Sequence, residues 1–216
     1  MNDTLIIIQA RSGSTRLPNK VLMPIAGVPL FKRVYDSCCK SGLKTVFAIP
    51  VRDRVLEKAL VKEKIKYYTG SEDDVLARIY STAIIEDAES IIRVTCDCAL
   101  IDPAWIRYIA EDATDNDYDY ADNCHPDNRS SCDGNDIQYC TRCVLEHVDV
   151  VASSKEDREH VFSHIWKNGL SLIGKRTSVH HYHQPIDQSK LNLSIDTVED
   201  FQRVEAYIKE NEAFHG

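Results

Sequence analysis

Ile6-Ile7-Ile8-Gln9-Ala10-Arg11-Ser12-Gly13-Ser14-Thr15-Arg16-Leu17-Pro18-Asn19-Lys20 stands near the start of this chain of 216 residues. Its isoleucines, with Leu5, make a short apolar run of the kind that forms a strand buried on both faces. The run opens directly into Arg11, Arg16 and Lys20, the hydroxyls of Ser12, Ser14 and Thr15, and Gly13. That is the composition of an anion-binding loop, and a polyphosphate is the expected ligand. It is not a Walker loop, because no Gly-Lys-Ser/Thr ends it. Taken alone, the same residues could form a solvated basic turn.

Beyond this loop the pattern alternates helix and strand. A strand at Leu5 to Gln9 precedes a helix over Pro29 to Ser41, with proline in its first turn and Gly42 after it. A strand at Lys44 to Ile49 follows, then a helix at Asp53 to Lys64 whose Val55, Leu56, Ala59 and Leu60 fall at helical spacing. After a short strand at Lys66 to Tyr68, Ser71 is the expected cap of a helix burying Val75, Ile79 and Ala83, with Asp74 completing a capping box. Ser90 to Thr95 reads as a strand at the sheet centre, and Asp102-Pro103 as the start of another helix. Thr114 to Gly134 is rich in Asp and Asn, loop-like, with a strand at Tyr118 to Ala121, and is a candidate acceptor-side rim. A strand at Asp136 to Cys140, helices at Thr141 to Val150 and Lys155 to Lys167, and strands at Ser171 to Ile173 and Val179 to His183, paired antiparallel, come next. Ser194 to Asp196 reads as a short strand, and Thr197 as the cap of a last helix. The alternation implies one α/β domain over 1–216 with a three-layer, mostly parallel sheet, and ligands beyond the carboxyl ends of its strands.

Composition narrows the functional classes. With 43% hydrophobic residues the chain can bury one sizeable core. A net charge of -8 and a pI of 5.5 argue against a general nucleic-acid binder, so cations for a nucleotide must be concentrated locally. No run of 18 apolar residues exists, Leu5 to Ile8 is too short for a signal segment, and Asp3 stands where a cationic flank would be expected. A cytoplasmic protein without a membrane segment is the expectation. The eight cysteines contain one Cys-x-x-Cys, Cys140 and Cys143, which with His160 and His164 approaches a zinc pattern whose gap is slightly long. Reduced, partly buried thiols are the simpler reading. His181 and His183 would share a strand face, but no third ligand stands near them in sequence.

The loop Gln-Ala-Arg-Ser-Gly-Ser-Thr-Arg-Leu-Pro-Asn-Lys-Val-Leu resembles the signature of the cytidylyltransferases. That family includes the enzymes that activate acidic sugars such as neuraminate and deoxy-octulosonate, and the branch of spore-coat polysaccharide biosynthesis is the nearest in pattern. Arg93-Val94-Thr95-Cys96-Asp97-Cys98-Ala99-Leu100 and Ser194-Ile195-Asp196-Thr197-Val198-Glu199-Asp200 match two later motifs in order and spacing. The resemblance thus spans nearly the whole chain and implies the nucleotide-diphospho-sugar transferase fold. It departs from the family at Cys96 for glycine and Ala99 for proline, and at Val198 for proline.

What the resemblance implies is transfer of CMP from CTP to a small acidic metabolite, with Mg²⁺ as cofactor and pyrophosphate as leaving group. Arg11, Arg16 and Lys20 would hold the phosphates, and Asp97 and Asp196 the metal, with Asp97 catalytic. Ala10, Ser12, Gly13, Gly70, Ser71 and Arg78 are the further nucleotide-binding candidates; Ser71 could instead only cap, and Arg78 could lie on a solvated helix face. Asp133 and Asp136, in an Asp-Gly-x-Asp stretch, and Arg158 and His160, in Arg-Glu-His-Val, are candidates for the acceptor. The first pair could equally form a turn, and Glu156 could pair with His160 on a surface helix. Other readings are a glycosyltransferase, although the Asp-x-Asp usual there is absent, and a nucleotide-binding homologue without turnover. A homodimer through the late strands is a further expectation.

Overall fold

In the computed structural model, which describes residues 4–213, the opening apolar run is strand β1 (Thr4–Gln9), and all but its last residue are buried. The first and last three positions of the 1–216 span lie outside the described residues. A loop and a single turn at Lys20–Leu22 lead to a small ribbon, β2 (Pro24–Ile25) and β3 (Val28–Pro29), closed by Ala26 and Gly27 at φ 46° and 81°. Positive φ at both central residues is the demand of the tightest hairpin turns, and the sequence carried no alternation long enough to announce this one.

Helix α1 (Leu30–Lys40), β4 (Lys44–Pro50), α2 (Arg54–Lys62), β5 (Tyr67–Gly70), α3 (Val75–Ile85), β6 (Ser90–Thr95) and α4 (Pro103–Asp115) then alternate. The second half carries β7 (Tyr120–Asp122), β8 (Gln138–Thr141), α5 (Arg142–Val151), α6 (Lys155–His160), α7 (Ser163–Asn168), β9 (Val179–His181) and α8 (Val198–Ala213). The main sheet has the order β5-β4-β1-β6-β8-β7-β9. Only β8 runs against its neighbours; the other pairings, β1 with β4 and β6, β4 with β5, and β7 with β9, are parallel.

Alternation along β1 and β6 builds the three layers. Ile6, Ile8, Ile92 and Val94 enter one core with Leu30, Leu56, Ile106 and Val204 of α1, α2, α4 and α8. Leu5, Ile7 and Ile91 enter a second core on the opposite face with Val75, Ile79, Val144 and Phe162. Successive strands lead from β1 outward to β4 and β5, then cross back to β6 on its other side. The crevice between the carboxyl ends of β1 and β6 is therefore the switch point at which open α/β sheets bind ligands.

Several local expectations are corrected. Asp74, not Ser71, caps α3 by accepting from the Ala77 amide, while Ser71 Oγ accepts from the Asp74 amide one step earlier. The helix expected over 155–167 is two short helices, broken at Val161, whose φ of 63° no helix accommodates. Ser171 to Ile173 forms no strand, and β9 joins the sheet parallel to β7 rather than antiparallel. Ser194 to Asp196 also lacks a strand partner ladder; the Ile195 amide donates instead to the Asp97 carbonyl at 3.2 Å.

Candidate active site

The loop after β1 is held by a residue that the sequence reading used only as a helix start. Asp53, at the N-terminus of α2, accepts from the Ser12 amide and Ser12 Oγ at 2.6 Å each, and from the Leu56 amide at 3.1 Å. One carboxylate thus caps a helix and anchors the loop. The Ser12 carbonyl accepts from the Ser14 and Asn19 amides, which folds the loop back on itself. Its cations remain outward: Arg11 is 49% and Arg16 64% exposed.

Lys20 behaves differently. Its ammonium is largely buried and donates to Asp97 Oδ2 at 3.2 Å, Asp196 Oδ1 at 3.0 Å and the Ile195 carbonyl at 2.7 Å. Burial works against its charge, but the two carboxylates outweigh that and hold its pKa above the ordinary lysine value. Arg16 Nη2 reaches the other oxygen of Asp196 at 3.0 Å. Asp97 sits just past β6 and Asp196 just before α8, and the backbone bond from Ile195 to Asp97 fixes one beside the other. Cys96 needs no positive φ, so replacing the family's glycine leaves the backbone here unstrained.

Two carboxylates within reach of one cationic atom are hard oxygen donors suited to a small divalent ion. Among the described residues no cluster of three or more His, Cys, Asp or Glu gathers at one point. A pair of carboxylates whose remaining partners come from phosphate and water is the usual donor set for Mg²⁺, so these residues fit that ion.

These groups line a cleft of 310 Å³, which also takes in Ala10, Arg11, Ser14, Thr15, Arg93 and His160. Other candidates are set apart from it. The side chain of Arg158 is a brace, donating to both oxygens of Asp74 at 2.7 to 2.9 Å and to Asp149 at 2.7 Å, which ties α6 to α3 and α5. Arg78 is buried rather than on a solvated face, and its guanidinium holds the Ser71 carbonyl; burial pushes its pKa down to about 10. Gly70 makes room for it, since a Cβ there would stand 2.8 Å from Arg78 Cγ. A Cβ on Gly13 would stand 3.7 Å from Glu72 Oε1, one residue beyond Ser71. Asp133 bridges to Asn192, and Gly134 at φ 100° lies against the Leu193 backbone, so this pair holds the segment that carries Asp196. Asp136 is paired with Arg129 at 2.9 Å, and burial raises its pKa despite that partner.

A family profile described as "Cytidylyltransferase" matches residues 5–214. The chain belongs to the cytidylyltransferase family. The chain is 34% identical over 128 residues to the spore coat polysaccharide biosynthesis protein SpsF of Bacillus subtilis, a match covering 56% of this chain and 53% of SpsF. It is 37% identical over 116 residues to a 3-deoxy-manno-octulosonate cytidylyltransferase of Coxiella burnetii, covering 52% of this chain and 47% of that one. The chain spans about half the length of these two relatives. A solved cytidylyltransferase structure from Leptospira borgpetersenii superposes with a TM-score of 0.85 at 25% identity, covering 99% of this chain and 96% of that one.

The site also contains residues to which the motifs assigned no role. Arg93 interrupts the apolar strand Ser90–Thr95, and a charge there was the one signal that could have marked it. It lies opposite Gln138 in register, with Gln9 on the other flanking strand. A second cavity of 170 Å³ shares Arg93, Thr95 and His160 with the cleft and adds Asp136, Gln138, Cys124 and Trp166. His160 thus lines both spaces.

Proposed function

We propose that this protein transfers CMP from CTP to an acidic sugar or to a phospho or phosphono acceptor, in a Mg²⁺-dependent reaction that releases pyrophosphate. The observation that carries this reading is the meeting of Asp97 and Asp196 at Lys20, beside the arginine-bearing loop and at the sheet's switch point. Family membership supplies the nucleotide and the reaction class.

In this reading Arg11 and Arg16 bind the β and γ phosphates, and the hydroxyls of Ser14 and Thr15 lie in the same cleft to accept or donate. Asp97 and Asp196 would hold Mg²⁺, which when bound would neutralise phosphate charge and polarise the α-phosphoryl group. Lys20 fixes the two carboxylates next to each other before substrate arrives, so little reorganisation is needed on binding. An acceptor oxygen attacks the α-phosphorus in line with the departing pyrophosphate. An acceptor that arrives as an anion at the attacking oxygen needs no protein base.

The test is pyrophosphate release from CTP and Mg²⁺ with a panel of sugar acids, sugar phosphates and phosphonates. Turnover with at least one of them, lost in a folded Asp97→Ala variant, is the expected result. Full turnover in that variant, or no CTP binding by the wild type, overturns the proposal. Nucleoside diphosphate as the product would mark a glycosyltransferase instead.

A further inference from the structure

The cavity beyond the cleft has a feature that CMP transfer has not used. Arg93 is 8% exposed, and among the described residues no carboxylate is ion-paired with it. Its Nε and Nη2 donate to Gln9 Oε1 at 2.9 and 2.7 Å, and its Nη1 donates to Gln138 Oε1. A guanidinium has five N–H donors, so these bonds leave one on each terminal nitrogen. Gln138, 2% exposed, keeps its own Nε2 buried and without a partner.

We propose that this cavity receives the acceptor and that Arg93, held by Gln9 and Gln138, binds the acceptor's carboxylate; the proposal rests on the transfer reading above. The amide oxygens on either side set the fork of the guanidinium without neutralising it. Burying a cation is costly, and burial depresses the Arg93 pKa even with the charges of Asp97 and Asp136 nearby working the other way. An incoming anion removes that cost, which makes the site selective for charge. Among the described residues lining the cavity, Arg93 is the one lysine or arginine, and Asp136 is already taken by Arg129. A single positive charge beside an aspartate favours a planar monoanion over a phosphate dianion. The cavity has room for a small polyhydroxy group, and the walls it shares with the cleft at Arg93, Thr95 and His160 place such a group beside the reacting phosphate.

The experiment titrates ¹⁵N-labelled protein, without nucleotide and at constant ionic strength, with glycolate, its neutral analogue glycolamide, and inorganic phosphate. The Arg93 Nε–H and Gln138 side-chain amide resonances report binding. Glycolate should shift both saturably, and glycolamide and phosphate should bind at least about tenfold more weakly. Arg93→Lys keeps a charge but not the fork, and it should weaken glycolate by about tenfold. Equal responses to glycolate and glycolamide, tighter binding of phosphate, or undiminished glycolate affinity in a folded Arg93→Lys variant would each overturn the assignment. Should the variant fail to fold, the wild-type titration decides alone. A saturable glycolate response in a protein that never releases pyrophosphate sinks the transfer reading only; pyrophosphate release with no glycolate response sinks this inference only.

Discussion

Lys20 and Asp53 show how much at this site depends on single side chains. Lys20 neutralises Asp97 and Asp196 at once, with 11% of its side chain exposed. Lys20→Met would leave two carboxylates facing each other, and without divalent metal we expect a loss of about 2 kcal/mol, held down by the partial exposure of both aspartates. Thermal melts with and without Mg²⁺ check this: the metal should raise the Tm of the variant more than that of the wild type. Equal Mg²⁺ responses would show that the two aspartates do not share an ion. Asp53→Ala removes a helix cap and both anchors of the loop, so it should cost about 2 kcal/mol. The same variant should weaken CTP binding, whereas Ser12→Ala, which loses only the hydroxyl contact, should do less on both counts.

At the scale of elements, short segments position the chemistry. The turn at Asp133-Gly134 supports the strand-like segment that leads to Asp196, and a Cβ on Gly134 would fall 2.5 Å from the Leu193 backbone. Gly134→Ala therefore combines a clash with a left-handed φ, and a loss of about 3 kcal/mol in urea unfolding is expected. The end of β7 is held by a different device. Buried Asp122 accepts from Tyr120 Oη at 2.6 Å and Trp166 Nε1 at 2.8 Å, and pairs with His181 Nδ1 at 2.9 Å. The hydrogen bond to Asp122 raises the His181 pKa against the effect of partial burial. A histidine raised in the folded state stabilises fully below its unfolded value of about 6.5, and the contribution disappears as pH rises through the folded value. The stability gap between wild type and His181→Gln should thus be widest near about pH 5.5 and close at alkaline pH, as urea melts across that range would record. His181 is therefore tied to the sheet through Asp122.

The whole molecule is a sheet between two cores, and its cysteines report on that packing. Cys39 and Cys143 are exposed, and the other six are buried as free thiols. A thiol reagent should label those two quickly in the native protein and the remaining six only on unfolding, as mass spectrometry would count. More than two fast thiols would mean that the cores are looser than described. No helix among the described residues is long and apolar enough to cross a membrane.

Local patterns determined much of this molecule: the apolar run of β1, the central strand Ser90–Thr95, the cap and proline at Asp102-Pro103, and the cation-rich loop were all legible from neighbouring residues. They were legible because strand burial, capping and turn chemistry act over a few positions. The break at Val161 and the parallel docking of β9 were not, since each is imposed by packing against distant elements. Motif resemblance named Asp97 and Asp196 but could not say that Lys20 lies between them. Nor could it align Arg93 with Gln9 and Gln138, which come from three strands made neighbours only by the order β1-β6-β8. Pairing between segments tens of residues apart decides that order, and a side chain's partners across a sheet leave no trace in the periodicity of its own strand.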